Sequence, residues 1–572
     1  MYQYNEYDET LVLSRVEEFR DQVQRYLAGD LSDEEFLPLR LQNGLYKQRH
    51  AWMLRVAIPY GTLSAEQLRC LAQVADRYDR GYGHFTTRQN IQFNWIELTD
   101  VPDILERLAH QQMHAIQTSG NCVRNITTEA FAGVAADEYQ DPRPYAEILR
   151  QWATLHPEFL FLPRKFKIAI TAADEDRAVI RAHDIGLHLY EQDQEARFRV
   201  LVGGGLGRTP ILNQSLFEAV HWRDIPAAIE AILRVYNRYG RRDNKYKARI
   251  KILVKALGID AFREEVQQEW QQMRNSGHAP AISSEELARV SVGFEQPLPT
   301  LQPDLEYGAW LARDSGFARW CRSNTRSQKQ QGYVSVVISS KPHPAAHGST
   351  DALPAAPGDL TSQQMRQLAT MAEDYSNSEI RVTHEQNLVL ANIAQRDLYP
   401  LWQRLRQQQL ATPNIGQLTD IIACPGGDYC SLANSRTLPV TAAIQRLFDD
   451  QDQLDDIGTI SLNISGCMNA CGHHHVGNIG ILGVTKQDQE WFQVTIGGQQ
   501  GHNARLGQII GPAFQADAIP GVIQTLTNTY RQHRQARESF VDCVQRLGIA
   551  PFKNAVYQNT GASAETPTEA NV

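Results

Sequence analysis

No run of about 18 apolar residues occurs anywhere in the chain, which excludes a predicted membrane-spanning helix. The opening stretch "MYQYNEYDETLVLSRVEEFRDQVQRYLAGD" is acidic and amphipathic and has no signal-peptide core, so a cytoplasmic location is the default expectation. Eight cysteines among 572 residues are too few for a disulfide scaffold, and no pair has the C-x2-C spacing of a zinc knuckle. Basic residues are not in excess either: a formal net charge of -9 gives no sign of a nucleic-acid partner. The turn "VGGGLGRT" from Val202 does not satisfy G-x-G-x-x-G, and no clear acidic partner follows about 20 residues on. It reads as a structural or cofactor-edge turn.

What the chain does have is itself, twice. "TLSAEQLRCLAQVADRYDRGYGHFTTRQNIQF" from Thr62 finds a counterpart in "DLTSQQMRQLATMAEDYSNSEIRVTHEQNLVL" from Asp359, at a constant offset of 297. A second pair of stretches repeats at an offset of 294: "DIGL" at Asp184 against "NIGI" at Asn478, and "FRVLVGG" at Phe198 against "FQVTIGG" at Phe492. Shared order over two such stretches implies a duplicated A-B-A′-B′ chain with a pseudo-two-fold axis. Each A unit shows helix, strand, helix and reads as a small α+β, ferredoxin-like half. Each B unit alternates apolar runs such as "KIAITA" with helices and reads as a three-layer α/β domain. The expected division is an N-terminal segment at 1–60, A at 61–118, B at 119–275, a linker at 276–330, A′ at 331–415, B′ at 416–557 and a disordered tail from 558. A Pro/Ala-rich excursion from Ser339 to Asp359 belongs to A′ alone.

Two halves that share a fold should differ where chemistry resides. In "HFTTRQNIQFNW" a period of two puts Thr86, Arg88, Asn90, Gln92 and Asn94 on one strand face and Ile91, Phe93 and Trp95 on the other. That polar face suits a hydrated cavity, although a solvated outer face is the plainer alternative. Arg88 stands opposite Glu385, so one half kept a positive charge that the other lost. The second difference is "SGCMNACGHHHVGNIG": Cys467 lies opposite Ala173 and Cys471 opposite Arg177, while "IIACPGGDYCSL" upstream adds Cys424 and Cys430. The set is C-x5-C followed by C-x3-C, with glycines and small residues that let backbone N–H groups approach sulfur. Spacing favours a four-thiolate [4Fe-4S] cluster over zinc or coincidence.

This cysteine pattern, with glycine on either side of the second pair, resembles the signature of the sirohaem-dependent sulfite and nitrite reductases, whose architecture is also duplicated. The resemblance runs from about residue 10 to 555 and is strongest to the bacterial assimilatory, sulfite-reducing haemoproteins. It implies one sirohaem and one [4Fe-4S] cluster, with Cys471 also bridging to the sirohaem iron. It carries the family's "TTRQ" arginine onto Arg88, its "RN" arginine onto Arg124 and its "LPRKFK" lysines onto Lys165 and Lys167. Lys165 and Lys167, two apart on a strand, share a face. Gln89 and Asn125 lie in the same motifs and are expected to contact the sirohaem carboxylates.

The reaction this resemblance implies is the six-electron reduction of sulfite to sulfide in assimilatory sulfur metabolism, with nitrite reduction as the alternative. Guanidinium groups would bind the oxyanion and ammonium groups would deliver protons. The second lysine, Lys167, is similar to sulfite-reducing members, whereas plant-type nitrite reductases tend to have asparagine there. Without a flavin or NADPH motif, electrons must come from a separate flavoprotein or ferredoxin. A structural protein with a four-cysteine zinc site is the reading from another class. His473 to His475 are expected to be hydrogen-bond donors or surface residues rather than metal ligands. Some family members carry a cysteine–tyrosine crosslink beside the site. Cys122 has no assignable place in it, so none is expected.

Overall fold

The structure, a computed structural model, describes residue 4 and residues 6–301, 305–341, 356–486 and 489–560. Most of the A′ excursion and the tail beyond Thr560 lie outside those residues. No helix among the described residues is long and apolar enough to cross a membrane.

The two A units are built from one plan. In each, a three-residue strand ends on a Ser or Thr whose side chain caps the helix that follows, with a glutamine three residues on closing the capping box. Ser64 and Gln67 open helix Ala65–Tyr78, and Thr361 and Gln364 open helix Ser362–Tyr375. The short strands are exchanged between the halves. Thr62–Ser64 of A pairs with Glu379–Val382 of A′, and Asp359–Thr361 of A′ pairs with Tyr82–Phe85 of A. Each half therefore completes a five-stranded antiparallel sheet with a strand of the other. The two helices pack against each other, and Arg69 bonds Glu373 while Arg366 bonds Asp76 across the pseudo-axis. Both sheets and both helices drain into one shared apolar core, with Leu71, Phe93, Leu368 and Leu390 all buried.

The strands at the far edges begin earlier than the sequence suggests. Leu45–Lys47 and Trp52–Val56 form a hairpin inside the stretch assigned to the N-terminal segment. Thr325–Ser327 falls inside the assigned linker, which also holds the Ser283-capped helix Ser284–Ser291 and two further helices, Leu305–Arg313 and Ser315–Asn324.

The B units match at the offset of 294. Strands Ile168–Thr171, Ile185–Gln192, Glu195–Val202 and Gln214–His221 form the B sheet; Leu462–Ser465, Ile479–Lys486 and Gln489–Ile496 form most of the B′ sheet. In each, a parallel pair is followed by an antiparallel pair, and in B′ strand Ile422–Ala423 adds a second parallel pair. Helices Ile225–Tyr239 and Ile519–His533 cover corresponding faces, each with a core of its own.

Candidate active site

Arg88 stands on a turn rather than on a strand face. Thr86–Asn90 closes between strands Tyr82–Phe85 and Ile91–Ile96, with Thr86 N donating to Asn90 O at 2.8 Å and Gln89 N to Thr86 O at 3.0 Å. Gln89 takes φ 56°, and Thr86 Oγ1 accepts from the N–H groups of both Arg88 and Asn90. Only Gln92 and Asn94 of the five predicted face residues lie on the strand, where they bond each other under Arg55. The turn throws Arg88 into B, where it donates to Thr127 Oγ1 at 2.8 Å and to the carbonyl of Asn125. It also meets His183 Nε2, while His183 Nδ1 lies 2.7 Å from the carbonyl of Val179. Burial, with Arg88 and Lys167 nearby, pushes the His183 pKa well down. A neutral ring that donates through Nδ1 and accepts from Arg88 satisfies both contacts.

Arg124 and the two lysines are brought together by a parallel pairing just ahead of the B sheet. Arg124 N donates to Phe166 O at 2.8 Å and Phe166 N to Cys122 O at 3.0 Å. In the sequence Lys165-Phe166-Lys167, alternation sends Phe166 into the core against Tyr236 and both lysines to the other side. Lys165 and Lys167 are half-buried and keep solvent-accessible surface. Among the described residues neither ammonium has a protein acceptor, whereas Arg124 is tethered to the carbonyls of Thr118 and Gly120. Burial lowers both lysine pKa values; Arg124 adds to the effect at Lys165, and Lys165, Arg88 and Arg249 add to it at Lys167. Cations crowded in this way are stabilised by a bound anion.

The four cysteines converge on two loops of B′. Cys424 follows strand Ile422–Ala423, Cys430 closes the next turn, and Cys467 and Cys471 lie in the loop after Leu462–Ser465. The loops touch backbone to backbone: a Cβ on Gly466 would stand 2.7 Å from Gly426 Cα. That approach lets Gly466 N donate to Cys424 Sγ at 3.2 Å. No cysteine is in a disulfide, and burial raises the thiols of Cys424, Cys430 and Cys467, with Cys471 adding to each. Four thiols within one another's field, with N–H groups turned to sulfur, fit a [4Fe-4S] cluster, whose iron offsets the thiolate charge. Cys471 is the exposed one of the four, and its field reaches Lys165 and Lys167. Thr87 Oγ1 donates to its carbonyl at 2.8 Å, so one turn of A contacts the cysteine loop through Thr87 and the cation wall through Arg88.

Gln89 and Asn125 are not free for cofactor carboxylates. Gln89 Nε2 is spent on the carbonyls of Thr128 and Val382, both at 2.8 Å; Asn125 Nδ2 is spent on Ile58 O and Asn90 Oδ1. Both side chains are buried, and the one unpaired atom of Gln89 is an acceptor, which a carboxylate cannot use. They fasten the seam instead, and Gln386 does the same from the other half by donating to Phe85 O and Pro357 O. His473 and His474 are buried rather than on the surface, with Nδ1 of His473 and both ring nitrogens of His474 lacking a partner among the described residues. His475 Nε2 reaches Gly207 O at 3.0 Å, and Lys251 Nζ donates to the carbonyls of Gly205, Leu206 and Thr209, so the glycine-rich turn is a structural brace against the cysteine loop. Sequence reasoning missed Tyr46, whose ring lies 5.2 Å from the Arg55 guanidinium, Arg55 itself, His183, Asp184 and Arg249. The first two lie in the edge hairpin, and Asp184 was visible only as the charged member of the "DIGL"/"NIGI" pair.

Comparison with known proteins bears on this arrangement. The Nitrite and sulphite reductase 4Fe-4S domain matches residues 119–273 and 416–563, and the Nitrite/Sulfite reductase ferredoxin-like half domain matches 46–111 and 347–408. The assimilatory ferredoxin-dependent nitrite reductase of Haloferax mediterranei is 26% identical, over 94% of this chain and 89% of its own. Sulfite reductase [ferredoxin] 2 of Mycolicibacterium paratuberculosis is 27% identical, over 86% of this chain and 82% of its own. The solved structure of the Mycobacterium tuberculosis NirA protein superposes with a TM-score of 0.75 at 24% identity, covering 93% of this chain and 94% of that one.

Proposed function

The chain belongs to the nitrite and sulfite reductase family, with sirohaem and a [4Fe-4S] cluster as its cofactors, and from that premise we propose that it reduces sulfite to sulfide. The observation that carries the choice of anion is the pair Lys165 and Lys167, two half-buried ammonium groups with no protein acceptor among the described residues. Sulfite is largely divalent near neutral pH and has three oxygens, while nitrite is monovalent with two, so a fourth cation favours sulfite more.

Cys424, Cys430, Cys467 and Cys471 would hold the cluster, and Cys471, the exposed one of the four and the one whose field reaches the lysines, would link it to the sirohaem. The bound cofactors supply the one-electron chemistry. The rest falls to side chains. Arg124, which spends three of its five N–H groups on the carbonyls of Thr118 and Gly120, orients the oxyanion with the others, and Arg88, whose terminal N–H groups already meet Thr127, His183 and the carbonyls of Asn125 and Ile168, adds fixed positive charge. Lys165 and Lys167, whose pKa values burial lowers, release protons at Nζ more readily than surface lysines do. Taking sulfite to hydrogen sulfide and three waters consumes six electrons and eight protons, so these donors must be recharged from solvent, and the accessible surface they keep permits it.

The electron donor is a ferredoxin. The support is that the relatives are named for it and that the chain has no flavin or NADPH motif of its own. Nitrite is the second reading, because several relatives are named nitrite reductases. Steady-state kcat/KM for both anions with a chemically reduced artificial donor tests the choice: sulfite should be preferred, and a tenfold preference for nitrite overturns the assignment.

A further inference from the structure

We propose that Asp184 is a positioning residue of the anion site: it neutralises Arg249 and fixes the backbone of Lys167, so that the lysines rather than Arg249 set the charge presented to the anion. The proposal rests on the cation cluster being the anion site and holds whether the anion is sulfite or nitrite.

Asp184 is fully buried. Oδ1 accepts from Arg249 Nε at 2.9 Å and Nη2 at 2.7 Å, and Oδ2 accepts from Arg249 Nη2 at 2.7 Å and from the backbone N of Lys167 at 2.8 Å. One carboxylate thus touches both a guanidinium and the chain that carries a proton donor. The field of Arg249 reaches Arg88, Lys165 and Lys167, so an unmasked charge there would be felt at the site.

The duplication supplies an internal control. The position matching Asp184 is Asn478, whose Oδ1 accepts from Ser461 N at 2.9 Å, and Ser461 matches Lys167. The fold therefore needs an oxygen acceptor here to hold the neighbouring strand, and an amide supplies it. The partner cation is absent in that half as well: helices Ile250–Leu257 and Phe540–Leu547 correspond, and Ser539 stands where Arg249 does. The aspartate's charge and its arginine occur together in the half with the two lysines, and neither occurs in the half without them.

Asp184→Asn is thus the substitution the scaffold already accepts. It keeps the acceptor and exposes Arg249. Anion affinity should rise, with sulfite binding to the oxidised holoenzyme, measured calorimetrically without turnover, tightening at least threefold and nitrite tightening less. The kcat should fall at least tenfold, because the neutral amide oxygen that replaces the carboxylate holds the Lys167 backbone by a weaker, uncharged hydrogen bond. Damage to packing alone would weaken binding or leave it unchanged. The double variant Asp184→Asn/Arg249→Ser removes both charges, so it should return sulfite affinity to the wild-type value while kcat stays low, and it should melt above Asp184→Asn alone. If Asp184→Asn does not accumulate, the double variant carries the test by the same affinity and rate. Weaker anion binding in Asp184→Asn, a double variant no better than the sum of its singles, or an unchanged kcat overturns the proposal. A wild-type preference for nitrite would sink the sulfite assignment and leave this one standing.

Discussion

Replacing Glu379 by Gln tests whether charge holds the seam between A′ and B. Glu379 begins strand Glu379–Val382 and is 4% exposed. Its Oε1 accepts from Arg381 Nε at 2.7 Å and from Arg143 Nη1, at the start of a B helix, at 3.2 Å; Oε2 accepts from Gln296 at 3.1 Å. Burial alone would raise the carboxyl pKa, but Arg381 and Arg143 outweigh it and hold the group at about 2 against an ordinary 4.5. That gap is worth about 3 kcal/mol at ~1.4 kcal/mol per pH unit. Because the folded pKa is the lower one, the unfolded chain binds its proton first as pH falls. The contribution is therefore complete above about pH 4.5 and fades as pH drops through about 2. Glu379→Gln also leaves two guanidinium groups buried, so the loss at pH 7 should be about 3 to 5 kcal/mol. Denaturant unfolding of both proteins at pH 7 and pH 3, following the first transition, measures it, and roughly 2 kcal/mol of the difference should be gone at pH 3. A loss under about 1 kcal/mol at pH 7, or the same loss at both pH values, refutes the reasoning.

Three further outcomes are expected. Cys471→Ser should abolish turnover with any donor and uncouple the haem and cluster spectra; a wild-type spectrum with near-normal rates would overturn its double role. Lys167→Asn should depress kcat/KM for sulfite by about ten- to a hundredfold, the range set by one charge-assisted hydrogen bond of roughly 1.5 to 3 kcal/mol, and equal losses for nitrite would deny it a part in discrimination. Gly472→Ala places a Cβ 2.0 Å from the carbonyl oxygen of Ile464, next to Cys471, so iron and acid-labile sulfide per chain should fall by more than half. Full cluster content in that variant would mean that the loop yields without cost.

The duplication, the fold class and the cysteine loops were legible because each repeats over many residues or departs from the repeat in an unmistakable way. The strand exchange was not. Thr62–Ser64 and Asp359–Thr361 are three residues long, and the duplicated halves give each strand two equivalent sheets to join, so local pattern cannot say which it takes. The turn at Arg88 was hidden for another reason: "HFTTRQNIQF" alternates without interruption, while the break depends on Thr86 Oγ1 and on a left-handed glutamine, which composition does not announce. That error matters for mutagenesis. On a strand face, Arg88→Glu would merely copy Glu385 of the other half, but Glu385 keeps 37% of its side chain exposed beside His384. Arg88 points at carbonyl oxygens and Thr127, where a carboxylate would face acceptors. The seam contacts of Gln89 and Asn125 were hidden for a related reason, since adjacency to Arg88 and Arg124 in sequence says nothing of which way an amide donates.

The other half shows what the scaffold does with the cluster's place when no thiol is there. Backbone bonds align the loops: Cys430 N donates to Gly426 O as Ala135 N does to Phe131 O, and His473 and Val179 share left-handed φ values of 57° and 55°. By that register Cys424, Cys430, Cys467 and Cys471 fall on Glu129, Ala135, Ala173 and Arg177. Two of the four positions carry opposite charges, and they meet: Arg177 Nε donates to the fully buried carboxylate of Glu129, its other nitrogens donate to Asp137 at 2.7 and 3.0 Å, and its guanidinium lies 5.8 Å from the Phe131 ring. An arginine is long enough to fill space between two loops and carries the charge to neutralise the carboxylates there, which is what cluster iron would do for thiolates in B′. Both halves solve one electrostatic problem, loops held apart around a buried centre of compensated charge. An ion pair settles it with no electron to pass on. On the proposed reading the thiolates of B′ would settle it with a centre that can change charge, and Cys471, in the place of Arg177, is the one whose field reaches Lys165 and Lys167.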